Sequence, residues 1–168
     1  MKQKRKGFTL LELLVVILII GVLAAIALPQ YQYAVARAKF TQLLTASRAI
    51  KEAQTRYMIV HHERSLDLSN LDIDIEGCSF SGTLKDSITC KWGGCGIAYD
   101  TNRTLFSCSL NSPYISYYAS FFNNNKWCCA SKASGSLGKK LCQAEFPKST
   151  GNPTDTWCGE GATLYSSY

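Results

Sequence analysis

Residues Phe8 to Leu28 read "FTLLELLVVILIIGVLAAIAL", and only Thr9, Glu12 and Gly21 interrupt their apolar character. As a helix this run is about 31 Å long, enough to cross the hydrocarbon core of a bilayer. The apolar region of an ordinary secretory signal peptide is shorter, about 7–15 residues. Lys2, Lys4, Arg5 and Lys6 stand immediately before it. The positive-inside rule therefore keeps the N-terminus in the cytoplasm and sends everything after Leu28 across the membrane. Glu12 fits neither a plain anchor nor a signal peptide. A carboxylate near the end of an apolar helix costs about 3 kcal/mol on insertion scales unless it finds a partner. Were the chain cut between Gly7 and Phe8, a new cationic amine would arise at Phe8, one helical turn from Glu12. The two charges could then pair within one subunit or between staggered neighbours, where a misaligned copy would leave a buried charge unpaired.

Pro29 removes a backbone donor and predicts a kink. The following stretch, "QYQYAVARAKFTQLLTASRAIKEAQTRYMIV", holds no Gly or Pro and continues as helix to about residue 60. Leu43, Ala46, Ile50, Ala53 and Tyr57 recur in steps of three and four, which draws one apolar stripe. Arg37, Lys39, Arg48, Lys51, Glu52 and Arg56 lie off that stripe. The first half of the helix therefore suits lipid or other helices, and the second half suits the back of a globular head.

Eight cysteines all fall between Cys78 and Cys158 in a Gly-, Ser-, Asn- and Thr-rich region, the density of exported domains stapled by disulfides. Cys90 and Cys95 are too widely spaced, and Cys128-Cys129 too close, for a zinc ribbon. The expected pairs are Cys95 with Cys108, clipping a hairpin around "DTNR", and Cys78 with Cys90. Cys128 and Cys129 then take Cys142 and Cys158 in either order. Ser87–Trp92, Gly96–Asp100, Thr104–Leu110 and Pro113–Phe122 are β-branched or aromatic runs bounded by turn residues, hence strands. Residues 65–80 read as a short extended or turn-rich link, and the last forty residues as mostly loop.

Catalysis finds no support here. His61, His62 and Glu63 adjoin one another at a helix end without the spacing of a metal or acid–base site. No Ser-His-Asp arrangement can be assembled, and no cofactor or metal is expected. Outside the leader, 14 Lys and Arg face 12 Asp and Glu, so bulk charge does not imply nucleic acid as a partner. Lys126, Lys132, Lys139, Lys140 and Lys148 make a local cationic stretch, read as solubilising loop lysines in preference to a DNA contact. Tyr114, Tyr117, Tyr118, Phe121 and Phe122 read as core or subunit interface.

The segment "KGFTLLELLVVILIIGVLAAIALPQY" resembles the N-terminal signature of type IV prepilins and type II secretion pseudopilins. Glycine, aromatic, glutamate, apolar helix and proline all stand in register. The resemblance implies that a prepilin peptidase cuts after Gly7 and that the new N-terminal residue, Phe8, is N-methylated. It further implies that Phe8 and Glu12 act in assembly and that Pro29 kinks the helix. The implied fold is α+β and pilin-like: a long kinked N-terminal helix, membrane-spanning and then amphipathic, packed on a small disulfide-rich head of strands and loops. Its parts are a leader at 1–7, a transmembrane and assembly helix at 8–28, its amphipathic continuation at 29–60 and the cysteine-rich head at 61–168.

The implied role is a structural, non-enzymatic subunit of a type IV pilus-like filament. Its partners are the peptidase, identical or related subunits, an inner-membrane assembly platform and, before assembly, membrane lipid. The implied location is the bacterial cytoplasmic membrane, crossed once with the head outside, and then a surface pilus. The alternative is a pseudopilin of a periplasmic type II secretion pseudopilus. A tip adhesin or DNA-uptake minor pilin ranks lower, since tip subunits often lack the glutamate. Two features depart from familiar members. The head has more cysteines than the single C-terminal disulfide loop of many major pilins. Only Asp155 and Glu160 are candidates for the acidic Ca²⁺ cluster of major pseudopilins.

Overall fold

The computed structural model describes residues 7–83, 85–100, 103–111, 115–120, 127–132, 136–147 and 162–166. One helix, α1, runs from Leu10 to His61 over 52 residues, with Pro29 inside it. Pro29 offers no N–H, so the carbonyl of Ala25 loses its helical donor there. Backbone contacts divide the chain into two units, Met1–Val35 and Ala36–Tyr168.

In the second unit α1 buries Ala36, Phe40, Leu43, Ala46, Ser47, Ile50, Ala53 and Gln54. Four residues of the expected stripe are among these, and Phe40 and Ala36 extend it toward the N-terminus. Tyr57 stays half-buried, its ring stacked on His61 at 3.9 Å. The stripe covers an antiparallel sheet of seven strands in chain order: β1 Cys78–Ser81, β2 Ser87–Cys90, β3 Gly93–Asp100, β4 Arg103–Leu110, β5 Ile115–Ser120, β6 Trp127–Lys132 and β7 Ala162–Ser166. The expected strands correspond to β2–β5. The β3–β4 register ends at Asp100 opposite Arg103, so the chain reverses within "DTNR", whose Thr101 and Asn102 lie outside the described residues.

The register explains the composition. Phe80, Ile88, Cys95, Cys108, Tyr117, Cys129 and Tyr165 are successive cross-strand partners from β1 to β7. Directly opposed residues share a face, so this row lies on one side of the sheet. Ile88, Cys95, Cys108, Tyr117 and Cys129 are buried, and the Phe40 ring meets Tyr117 edge-on at 6.3 Å. The neighbouring row, Ser79, Thr89, Gly94, Ser109 and Ser116, is small or polar. Alternations such as "SCS" are therefore strands with one covered face and one open one.

Disulfides reinforce the covered face. Cys78–Cys90 and Cys95–Cys108 each join directly opposed residues of adjacent strands, and Cys129–Cys142 ties β6 to a second helix. Cys128 is also disulfide-bonded, and Cys158 lies outside the described residues. Loops of this size are worth about 3 kcal/mol each in the chain-entropy account.

Two sequence expectations need correction. The described part of the last forty residues is not mostly loop, since the end of β6, helix α2, Ser136–Glu145, and β7 fall there. Ser, Gly and Lys disguised α2, but Leu137, Leu141 and Cys142 share one face, and the last two are fully covered. Gly138 lets the helix approach the sheet: an added Cβ would sit 2.6 Å from Ser131 Oγ and 3.2 Å from Ile115 Cγ1. Residues 65–80 are likewise more than a link. They hold a 3₁₀ turn, Leu68–Asn70, and end in β1. The Asp67 carboxylate accepts the Ser69 N–H at 2.7 Å and the Ser69 hydroxyl, while Leu68 and Leu71 are buried. Asp72 accepts two hydrogen bonds from Arg56, each 2.9 Å.

Two predictions follow from this packing. Gly138→Val drives a branched side chain into Ser131 and Ile115 and should destabilise the full chain in detergent by about 2–3 kcal/mol. The exposed neighbour change Lys139→Ala should stay within about 0.5 kcal/mol by thermal circular dichroism. The second concerns pH. The Ser69 hydroxyl and amide lower the Asp67 carboxyl, and the Arg56 guanidinium lowers that of Asp72. Groups held below their unfolded values stabilise the fold above the ordinary carboxylate range and lose that contribution as pH falls through the lowered values. The midpoint of thermal unfolding should therefore drop below about pH 4. The Asp67→Asn/Asp72→Asn variant should show a shallower drop.

Candidate assembly surface

The start of α1 is built from its own sequence. Thr9 is the N-cap: its carbonyl takes the first helical bond, from the Leu13 N–H at 3.3 Å. Its hydroxyl oxygen accepts the Glu12 N–H at 3.2 Å, while Glu12 Oε2 accepts the Thr9 N–H at 2.9 Å and the Thr9 hydroxyl at 2.8 Å. This reciprocal arrangement is a capping box, which satisfies two amides that a helix start otherwise leaves without partners. Glu12 thus has a partner within its own subunit that charge reasoning overlooked. The signal was present as "TLLE", the Thr-x-x-Glu spacing ahead of an apolar run.

Beyond the cap, every large apolar side chain from Leu10 to Leu28 is exposed, from 43% at Val15 to 88% at Leu10, and Phe8 is 81% exposed. This part of α1 is long and apolar enough to cross a membrane. Two glycines, Gly7 before the helix and Gly21 within it, have no packing reason among the described residues. A Cβ added at Gly7 or Gly21 meets nothing within 4 Å. Glycine inside a helix costs about 1 kcal/mol relative to alanine, so Gly21 is a local loss that only an outside contact could offset.

The head carries two open clefts beside α1. One, about 500 Å³, is lined by Arg48, Lys51, Glu52, Thr55, Arg56 and Trp127. Lys51 Nζ stands 4.6 Å over the Trp127 ring, and burial lowers the pKa of this lysine. Arg48 pairs with Glu145 of α2 at 2.9 Å. Burial first, and the Glu145 charge second, push the Tyr117 hydroxyl well above its ordinary range. The other cleft, about 450 Å³, lies between α1 and the segment leading into β1, with Gln42, Thr45, Asp74, Glu76 and Trp92 in its wall.

The remaining sequence candidates fall as follows. The His61 ring nitrogen Nδ1 lies 3.1 Å from the Tyr57 carbonyl, beside exposed His62 and Glu63, a helix-end arrangement. Tyr117 is core, and its ring also stacks with Phe146 at 6.0 Å. Lys139 and Lys140 are exposed on α2. Tyr114, Phe121, Phe122, Lys126, Lys148, Asp155 and Glu160, and the side chains of Tyr118 and Lys132, lie outside the described residues.

Residues 2–28 match the family model of the prokaryotic N-terminal methylation motif. The fimbrial protein of Neisseria meningitidis serogroup B is 46% identical over 63 residues, 38% of this chain and 37% of that protein. The type IV major pilin protein PilE of Neisseria gonorrhoeae is 46% identical over 61 residues, 36% of each chain. The type IV major fimbrial protein FimA of Dichelobacter nodosus is 47% identical over 53 residues, 32% of this chain and 34% of that protein. No solved structure matches the chain. The chain carries a prepilin-type N-terminal motif and is similar to type IV major pilins, over little more than a third of their length.

Proposed function

We propose that the chain is a structural subunit of a type IV pilus-like filament, built through its N-terminal helix. One observation carries this reading: the helix from Leu10 to Leu28 is apolar on all sides, uncovered within the chain, and lies in the stretch that matches the methylation motif. A surface of that kind needs lipid or other helices around it, and a helix is one of the two structures that satisfy their backbone in lipid. The chain would first rest in the cytoplasmic membrane with residues 1–7 inside and the head outside. A prepilin peptidase would remove the leader after Gly7. The platform would then lift the subunit, now N-methylated at Phe8, from lipid into a bundle of identical or related helices.

The role proposed for Glu12 is sharpened by the capping box. Before assembly, Thr9 holds the carboxylate at the helix start. In the fibre the same carboxylate faces the Phe8 amine of its own chain or of a neighbour and sets the register. Gly7 supports an outside reader, because nothing among the described residues requires glycine there. Pro29 would give the helix its bend in the bundle. The relatives named as fimbrial proteins and major pilins favour a surface pilus over a periplasmic pseudopilus.

The test is purification of surface fibres and mass spectrometry of the subunit. A chain beginning at methylated Phe8 in long fibres is the expected result. A mature chain beginning near Gln30 would contradict it, and correct processing without any surface fibre would favour the pseudopilus. Gly7→Leu should leave the leader attached, seen as the heavier precursor, with no change in thermal midpoint.

A further inference from the structure

Strand β1 is a four-residue edge strand that pairs with β2 alone. A glycine stands at each end of it, Gly77 at φ +75° and Gly82 at φ +87°, in the left-handed region that other residues rarely adopt. Each can absorb a backbone rotation at a strand end. Beneath β1 lies a cavity of about 30 Å³ lined by Ile73, Ile75, Phe80 and Ile88, and Phe80 is itself 44% exposed. Beyond the ladder, Ser81 fastens β1 through its hydroxyl, 3.1 Å from that of Ser87 and 2.9 Å from that of Thr89. Water competes with hydroxyl contacts of this kind, which leaves the Cys78–Cys90 disulfide as the covalent tie. The disulfides differ in access. Cys78 is partly exposed, whereas Cys95, Cys108, Cys129 and Cys142 are between 0% and 4% exposed. Cys95–Cys108 joins two strands that each have a neighbour on both sides, and Cys129–Cys142 lies between β6 and α2. A thiol reaches Cys78 without opening the head and reaches the other two pairs only after packed elements part. Exposed disulfides are the labile ones.

We propose that Cys78–Cys90 is a redox latch: in the folded head a dithiol reduces this pair ahead of Cys95–Cys108 and Cys129–Cys142, β1 swings out on Gly77 and Gly82, and the edge of β2 is bared. A thiolate of the reductant attacks Cys78 Sγ, the sulfur–sulfur bond breaks, and Cys90 leaves as a thiolate and takes up a proton. The second thiol of the reductant then displaces Cys78, so two electrons and two protons pass to the protein and the reductant closes into a cyclic disulfide. Asp74 and Glu76 stand just ahead of Cys78 and repel anions, so the reductant that fits is an uncharged dithiol in preference to an anionic thiol. The chain on either side of β1 stays anchored. Ahead of Gly77, Leu68 and Leu71 are buried and Arg56 holds Asp72. Past Gly82, the Lys85 carbonyl accepts the Leu68 N–H at 3.0 Å. Once bared, Ser87–Cys90 presents unpaired backbone groups of the kind that recruit another strand, so the closed pair guards the sheet edge. The latch does not depend on the filament reading.

The test uses the full chain in detergent, treated with graded dithiothreitol, quenched with an alkylating reagent and mapped by peptide mass spectrometry. Cys78 and Cys90 should be labelled at least tenfold sooner than Cys95, Cys108, Cys129 and Cys142. In the species with this pair reduced, amide hydrogen exchange should rise at least tenfold over β1 and over the amides of β2 that face it, with β4 unchanged. Cys78→Ser/Cys90→Ser should show the same exchange without reductant, and no further change at the dose that opens the wild-type pair. Labelling of any of the four covered cysteines with or before Cys78 overturns the latch. Selective labelling with unchanged exchange over β1 and β2 also overturns it, since the pair is then an accessible staple only. A rise in exchange through β3 and β4, or a Cys78→Ser/Cys90→Ser variant without a thermal transition, would show that the pair holds the whole head and would sink the proposal as well.

Discussion

The apolar surface from Leu10 to Leu28 has no counterpart elsewhere among the described residues, and the rest of the described molecule is arranged around that fact. A soluble helix hides one stripe against a core and wets the other face. Here the first part of α1 is apolar all round and exposed, while the second part, from Ala36 onward, buries a single stripe. The same helix is thus built for two solvents in succession. Its cap fits that demand. Thr9 and Glu12 satisfy each other's amides locally, so the helix start carries fewer bare donors into an apolar surrounding.

The head solves a different problem. A domain of roughly 105 residues with many turns has a modest core, and cross-strand disulfides compensate for area it does not bury. The row from Ile88 through Cys95, Cys108 and Tyr117 to Cys129 is both the line of strand pairing and the floor on which α1 rests. Removing α1 from this sheet would expose that row. Helix and sheet therefore depend on one another, and the head half of α1 is part of the globular core.

Much of this was legible in the residues themselves. The continuation of α1 beyond Pro29 followed from a stretch without glycine or proline, and its buried face from steps of three and four. Strands β2 to β5 followed from β-branched and aromatic runs between turn residues. What escaped did so for identifiable reasons. In α2, Gly138 and Lys139-Lys140 look like loop composition until Ser131 and Ile115 are seen pressing on the glycine. The strand "WCCASK" follows an asparagine run that reads as pure turn. The Thr9–Glu12 cap is written in the Thr-x-x-Glu spacing, although the charge of Glu12 taken alone points only to a cationic partner. The clefts could not be read at all, because Lys51 and Trp127 meet only through the tertiary fold.

The central claim is that the uncovered half of α1 is covered by other copies of itself. The most direct measurement is a helical reconstruction of purified surface fibres by electron cryo-microscopy. Helices from Phe8 to Leu28 should pack around the fibre axis, with Glu12 near the Phe8 amine and the disulfide-bonded heads outside. A fibre whose axis is formed by the heads, or whose subunits lack this helix, would contradict the account.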